Sequence, residues 1–342
     1  MSPKYSRADI DRIGPILADE NSSADELKSA LATLDDWRGL HLYPMKTFDA
    51  MLRLCVSTID PDGFVVQRLK RTPTIGDKLR RYPSMKLGQM QDIGGLRAIV
   101  DNVVNVREFE SRFTHSQVKH VLKRKKDYIA EPKDSGYRGI HLVYEYQNPR
   151  NLDCDGLFVE IQLRTRLQHL WATALETAGF FTRERLKSSQ GNERYLEFFR
   201  LVSALFAMEE GHPPNVDYRK FTRKQLIDKL HQFEGDNGVL ALLNTIQAVS
   251  SECVPNQPDV FCWLIKTTLD PPKVSVIPFS ESNAPVAMLT YAILEGTDES
   301  KSGKSQVVLV RAESIANLES GYPNYFLDVR EFVETVIMLM HE

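Results

Sequence analysis

The sequence predicts a mixed α/β protein: a β-sheet flanked by helices, with a helical N-terminal part and a smaller β-rich C-terminal region. Three observations predict it. Apolar residues recur at helical spacing over residues 6–60. Strand-like and helix-like stretches alternate between Ile93 and Arg164. Beyond Cys253, short apolar stretches rich in β-branched residues follow one another.

Taken in order, SSADELKSAL offers Ser22 or Ser23 as the N-cap of an early helix. Residues 6–60 hold one histidine, His41, too few for a metal-dependent HD-type hydrolase. Gln67–Met90 is basic, with Arg68, Lys70, Arg71, Lys78, Arg80, Arg81 and Lys86 against Asp77, and reads as a turn entering a helix. A strand is expected over Ile93–Val100, a helix near Val104–Thr114, and strands at about Val118–Tyr128, Tyr137–Tyr146 and Leu157–Arg164. Helices dominate from Leu167 to about Val249. VPNQPD, beginning at Val254, marks a linker. VFCWLIKTTL, KVSVIPF, VAMLTYAIL and SQVVLVRA then read as strands, and Val329–Met340 as a closing helix. The expected division is 1–66 helical, 67–180 the core, 181–250 a helical segment and 251–342 the C-terminal domain.

A chain of 342 residues fits two domains, or one with a large appendage. No apolar run spans a bilayer and no signal-peptide pattern opens the chain, so a cytoplasmic protein with no membrane partner is expected. The four cysteines lack CxxC spacing, which fits reduced thiols rather than a zinc knuckle. The net charge of −3 conceals an asymmetry: residues 251–342 hold six Lys and Arg against thirteen Asp and Glu. That acidic region either docks on the basic remainder or is simply a solvated surface.

Three motifs place polar groups on strands that otherwise read as buried. In VEIQLRT, period-two alternation sends Val159, Ile161 and Leu163 to one face and Glu160, Gln162 and Arg164 to the other. That polar row either lines a site, its carboxylate holding Mg²⁺ and its arginine gripping phosphate, or faces solvent. In QDIGGLR, Asp92 opens a strand ahead of Gly94, Gly95 and Arg97; it is placed to share a magnesium with Glu160, or to cap a turn. In DYIAEPKDSGYRGIH, Tyr137 beside a glycine turn is a platform for a base or a core tyrosine of a hairpin. Arg68, Lys70, Thr74 and Lys78 fit a triphosphate cradle. Lys119 and the run Lys123, Arg124, Lys125, Lys126 fit a nucleic-acid backbone. Either basic group also reads as a solvated face. Neither a P-loop nor a Rossmann glycine motif is present.

RLKRTPTIGDKL, DIGGLR, DYIAEPKDSGYRGIH, VEIQLRT and LWATALE, in this order over Arg68–Glu176, resemble the synthetase domain of the RelA/SpoT family of alarmone synthetases. The resemblance implies a nucleotidyltransferase-like mixed sheet and transfer of pyrophosphate from ATP to a ribose 3′-hydroxyl, with Mg²⁺. By resemblance, Arg68, Lys70, Thr74, Lys78 and Arg97 bind ATP, and Asp92 and Glu160 hold magnesium. Glu160 also helps to deprotonate the hydroxyl, and Tyr137 stacks the acceptor base. Lys133, Arg138, His141, Gln162 and Arg164 complete the acceptor shell. The chain departs from the family's long members in lacking an N-terminal hydrolase, and Thr177 stands where small synthetases commonly have a histidine.

Tyr322-Pro-Asn-Tyr325 before the last helix is similar to the fused toxin–antitoxin members of the family, the CapRel type. That resemblance implies a C-terminal domain that blocks the ATP site through Tyr322 and Tyr325. It also implies a phage protein that relieves the block, and a toxin that pyrophosphorylates the 3′ CCA end of tRNA. The alternative acceptor is GDP or GTP, or an adenine nucleotide. Trp263, Phe279 and Tyr291 are candidates for a trigger surface, or for core. Oligomeric state is not legible in the sequence.

Overall fold

A computed structural model describes residues 3–116, 119–184, 186, 191–247, 260–269, 271–312, 314–326 and 328–341. Three helices open the chain. α1 (Arg7–Ala18) and α2 (Ala24–Leu40) each start with a capping box, Ser6 with Asp9 and Ser23 with Glu26. α3 (Leu42–Ile59) lays Met45, Phe48, Leu52 and Val56 on the sheet.

The core then alternates. β1 (Phe64–Leu69) leads through Lys70 and Arg71 to α4 (Thr72–Arg81). β2 (Gly94–Val100), α5 (Val103–His115), β3 (Val121–Asp127), β4 (Ile140–Glu145) and β5 (Phe158–Thr165) follow. α6 (Arg166–Thr182), α7 (Glu193–Glu209), α8 (Arg223–Asn237) and α9 (Val239–Gln247) form the helical segment. The sequence reading missed β1, because a six-residue strand that runs from three apolar residues into the basic stretch shows too little alternation to stand out.

The C-terminal region contributes β6 (Cys262–Leu269), β7 (Pro272–Phe279), α10 (Ala284–Glu295), α11 (Asp298–Lys301) and β8 (Ser305–Arg311). It ends in α12 (Ile315–Gly321), α13 (Pro323–Phe326) and α14 (Arg330–Met340). The strand expected over Val286–Leu294 is instead α10. Its burial has helical period, with Ala287, Tyr291 and Glu295 inside and Val286, Leu289 and Ile293 exposed. A run apolar on every face hides that period in the sequence. Trp263 and Tyr291 are core. The expected linker at residues 254–259 lies outside the described residues.

One eight-stranded sheet runs in the order β3-β4-β5-β2-β1-β8-β6-β7. β2 and β5 are parallel and the other neighbours antiparallel. The C-terminal strands join through β8, which pairs with β1 at Gln67↔Arg311 and Arg68↔Val310. On one face, α3 and α5 cover Val65, Leu96, Ala98, Leu142, Ile161 and Leu163. On the other, Phe64, Val66 and Ile99 share a core with Trp263, Val308, Leu318 and Tyr325. α14 packs among α6–α9, where Phe332 stacks on Phe199 at 5.7 Å between ring centroids. Among the described residues, the C-terminal strands and helices thus share the sheet and apolar cores of the rest. A β-strand edge and two apolar faces are completed by the same C-terminal stretch.

Phe332→Ala should cost about 3–5 kcal/mol of global stability, read from denaturant unfolding, because it empties the contact with Phe198, Phe199 and Phe206. A loss under about 1 kcal/mol would mean that α14 unfolds separately from the rest.

Candidate functional site

β-strand alternation builds one wall of a cleft of about 1380 Å³ on the face opposite α3 and α5. That exceeds the roughly 300–1,000 Å³ of ordinary single-ligand pockets. On β5, Val159, Ile161 and Leu163 enter the core, while Glu160 and Gln162 line the cleft beside Arg164. The polar row thus faces a cavity rather than open solvent. Gln162 Nε2 donates to Glu160 Oε2 at 2.8 Å, and Arg164 donates to Gln162 Oε1 at 2.9 Å. His141 on β4 lies opposite Gln162. Its Nδ1 is 2.9 Å from Glu160 Oε1, and its Nε2 is 2.5 Å from the Tyr137 hydroxyl. Arg164 closes the ring by donating to that hydroxyl at 3.0 Å.

The ring shifts its members' proton affinities. Burial alone would raise Tyr137, but Arg164 and His141 draw its phenol down to about 7. Burial alone would lower His141, but Tyr137 and Glu160 hold its imidazole up at about 9. Burial would likewise raise Glu160; His141 and Gln162 outweigh it and keep the carboxyl far below the usual range. A protonated His141 can donate from both ring nitrogens, to a tyrosinate on one side and a carboxylate on the other.

A second cluster faces the first. Lys70, just past β1, donates to Asp92 Oδ2 at 2.7 Å, and Lys78 on α4 donates to Oδ1 at 3.0 Å. Burial works against the Asp92 charge, yet these two ammonium groups lower its pKa against the opposing charge of Glu160. Arg68, Arg71 and Thr74 line the same cleft. Arg97 on β2 is buried; desolvation and the charge of Arg164 push its guanidinium down to about 10, with Glu176 opposing.

The C-terminal stretch closes over these cations. Arg68 donates to the Tyr325 hydroxyl at 3.1 Å, and the Arg71 guanidinium lies 6.0 Å from the centre of the Tyr325 ring. Arg97 donates to the Gly321 carbonyl at 3.3 Å, and His169 Nε2 to the Ser320 carbonyl at 2.7 Å. Gly321 is required by close approach: a Cβ there would meet Val66 Cγ1 at 2.4 Å. Tyr322 and Tyr325 are both buried and border the cleft.

Most of the expected site residues converge: Arg68, Lys70, Thr74, Lys78, Asp92, Arg97, Lys133, His141, Glu160 and Gln162 line the cleft, with Tyr137 and Arg164 in the ring beside them. The Lys133 ammonium lies 4.6 and 4.9 Å from the centres of the Tyr128 and Tyr137 rings. Arg138 is a correction. It is buried away from the cleft, donating to the carbonyls of Ile129 and Pro213 at 3.2 and 2.7 Å. Arg138 precedes β4, and its bonds to these carbonyls hold it away from the ring that Tyr137 joins.

The basic run divides between ion pairs and the cleft. Lys123 pairs with Glu145 at 2.6 Å, and Lys125 pairs with Glu110. Arg124 and Lys126 line the cleft, whereas Lys119 is exposed and outside it. Sequence reasoning left out Arg71, Tyr128 and Glu176, all of which line the cleft. The spacing of His169, Thr173 and Glu176 along α6 carried a signal for Glu176, since it puts them on one helix face.

The two carboxylates fit a magnesium ion by chemistry: both are ionised, both line one cleft, and each feels the other's charge. Among the described residues no group of three or more His, Cys, Asp or Glu could hold a metal ion. A magnesium at Asp92 and Glu160 would therefore draw on substrate phosphates for its remaining ligands.

These shifts make an acid-stability prediction. Glu160 binds its proton far more weakly folded than unfolded, so its contribution is present above about pH 4.5 and is lost as pH falls below that. Tyr137, lowered, adds stability as pH rises from about 7 to 10, while His141, raised, loses it from 6.5 to about 9. Where the two windows overlap they cancel. Urea midpoints should therefore fall steeply only on the acid side, and Glu160→Gln should flatten that limb. An acid limb unchanged in Glu160→Gln would mean that the carboxylate is not held as described.

The sequence profile described as "Region found in RelA / SpoT proteins" matches residues 67–180. GTP pyrophosphokinase YjbM of Bacillus subtilis is 40% identical over 118 residues, 33% of this chain and 54% of that protein. GTP pyrophosphokinase YwaC of the same organism is 29% identical over 172 residues, 44% of this chain and 76% of that protein. The rice chloroplast GTP diphosphokinase CRSH2 is 29% identical over 148 residues, 42% of this chain and 25% of that protein. The chain thus spans about half of YjbM and a quarter of CRSH2. Among solved structures, the small alarmone synthetase 1 of Bacillus subtilis bound to its product pppGpp matches at 27% identity and a TM-score of 0.42, covering 50% of this chain and 91% of that one.

Proposed function

We propose, with residues 67–180 belonging to the RelA/SpoT family of synthetase domains, that this chain transfers pyrophosphate from ATP to the 3′-hydroxyl of tRNA and is held off by its own C-terminal region. In the transfer, the acceptor hydroxyl attacks the β-phosphorus of ATP; a new O–P bond forms, the bond to the α–β bridging oxygen breaks, AMP leaves, and the hydroxyl proton passes to solvent. Arg68, Arg71, Lys70 and Lys78 are placed to take the triphosphate charge. Magnesium, when bound at Asp92 and Glu160, supplies further charge neutralisation. Glu160 is a weak base with its proton affinity so reduced, so it serves better as metal ligand than as proton acceptor.

The observation that carries the restraint is the Tyr322–Tyr325 segment inside the donor cleft. Arg68, Arg71 and Arg97 are engaged by the Tyr325 hydroxyl, the Tyr325 ring and the Gly321 carbonyl. A triphosphate and this segment compete for the same donors. A polyanionic acceptor is favoured by Arg124 and Lys126, which extend the cleft's positive charge along the edge strand β3. Release would come from a phage protein that binds the C-terminal region, so that blocked translation becomes an antiphage response. The second reading, a synthetase using GDP or GTP, shares every donor-site residue and is favoured by the enzymes named above.

The test offers ATP labelled on the γ-phosphate, bulk tRNA and GDP/GTP side by side to the full chain and to Tyr322→Ala/Tyr325→Ala. Label should reach tRNA from the double variant and scarcely from the parent. Label on guanosine nucleotides from both proteins would instead establish an unrestrained alarmone synthetase. In the double variant, Glu160→Gln should lower transfer by about 100-fold or more. There too, Arg124→Glu/Lys126→Glu should weaken labelling of tRNA while sparing that of free nucleotides. Equal loss on both acceptors would remove β3 from the tRNA path.

A further inference from the structure

We propose that Glu295, on α10 of the C-terminal region, is a positioning residue for the donor site: it caps the helix that carries Thr74 and Lys78. The inference rests on the reading of that cleft as an ATP site. α4 starts without a cap of its own. Arg71, its N-cap residue, makes no side-chain capping bond. The Thr72 amide at the helix start is one of the donors a helix leaves without an internal partner. It donates to the Glu295 carboxylate, at 3.2 Å to Oε1 and 3.4 Å to Oε2. A carboxylate there also meets the positive end of the helix dipole.

Glu295 is 5% exposed, so its charge needs a buried partner. Arg38 on α2, 0% exposed, supplies it at 3.1 Å. Arg38 also donates to the Thr72 hydroxyl at 2.6 Å, to Asp35 at 2.7 Å and to the Tyr291 hydroxyl at 2.8 Å. Tyr291 in turn donates to Glu295 Oε1 at 2.8 Å. These bonds tie α2, α4 and α10 into one knot at the start of α4.

Position there propagates into the cleft. Arg71 and Thr74 lie within the first turn of α4, and Lys78, one turn on, reaches Asp92. The C-terminal region therefore acts on the donor site in two opposed ways. Tyr322 and Tyr325 obstruct it, while Glu295 and Tyr291 hold its helix in place. Cutting the chain before residue 260 would remove both together, so point variants separate what truncation cannot.

The experiment uses the full chain carrying Tyr322→Ala/Tyr325→Ala, with and without Glu295→Gln. Val336→Ala, in the α14 core away from α4, serves as a matched loss of stability. Glu295→Gln should raise KM for ATP by roughly fivefold, the worth of a helix cap, with kcat nearly unchanged. It should also speed hydrogen exchange at the Thr72, Thr74 and Ile75 amides. Val336→Ala should move neither. An unchanged KM, or the same rise in Val336→Ala, would overturn the positioning role, as would unchanged exchange at α4. Should Glu295→Gln fail to fold, Tyr291→Phe removes one hydroxyl from the knot and should move both readouts in the same direction by less; no movement in a folded Tyr291→Phe overturns the proposal. If the double variant neither transfers pyrophosphate nor binds a non-hydrolysable ATP analogue, the functional reading fails on its own evidence, and α4 exchange still decides whether Glu295 caps the helix.

Discussion

The structure is organised around a concentration of positive charge on one face of a β-sheet. Arg68, Arg97 and Arg164 project from β1, β2 and β5 with Lys70, Arg71 and Lys78 beside them. Such groups cannot stay desolvated without partners, because the cost of an unpaired buried charge exceeds what one packing contact returns. A triphosphate would satisfy them. Here the chain supplies part of that pairing itself, leaving Arg97 Nε and Arg164 Nε and Nη1 without hydrogen-bond partners among the described residues. Asp92 takes both lysines, Gln162 and Tyr137 take Arg164, and the C-terminal stretch takes Arg68, Arg71 and Arg97. Groups of the chain itself thus stand where an anion would otherwise pair with these cations.

That substitution is possible because of where β8 pairs. Strand β1 would otherwise be a sheet edge with open backbone groups and an apolar face. β8 closes the edge, and α12 and α13 lie over Phe64 and Val66. Gly321 then sits against Val66 with no room for a side chain, which sets the tyrosines at the depth of the arginines. The residues that meet the arginines and the strand that closes the sheet edge thus belong to one packed stretch.

Much of the site was legible in the residues. Alternation along VEIQLRT separates Val159, Ile161 and Leu163 from Glu160, Gln162 and Arg164. Asp92 and Glu160 line one cleft, as expected, while the bond from Lys78 to Asp92 was not foreseen. Arg138 misled because a motif records neighbours in sequence, whereas its guanidinium bonds the carbonyls of Ile129 and Pro213 away from the cleft. The basic run at β3 divides: Lys123 and Lys125 pair with Glu145 and Glu110, while Arg124 and Lys126 line the cleft.

Local pattern thus carried the chemistry of this chain: which carboxylates, which cations, which tyrosines, and the alternation that presents them on one face. What it could not carry was partnership across long separations. The pairing of β1 with β8, the role of α10 as a helix, and the knot joining Arg38 to Tyr291 and Glu295 depend on contacts between residues about 240 positions or more apart. Periodicity is a short-range signal, set by the pitch of a helix or the pleat of a strand. Which buried charge finds which partner is decided by the packing that brings them together, and only the tertiary structure holds that information.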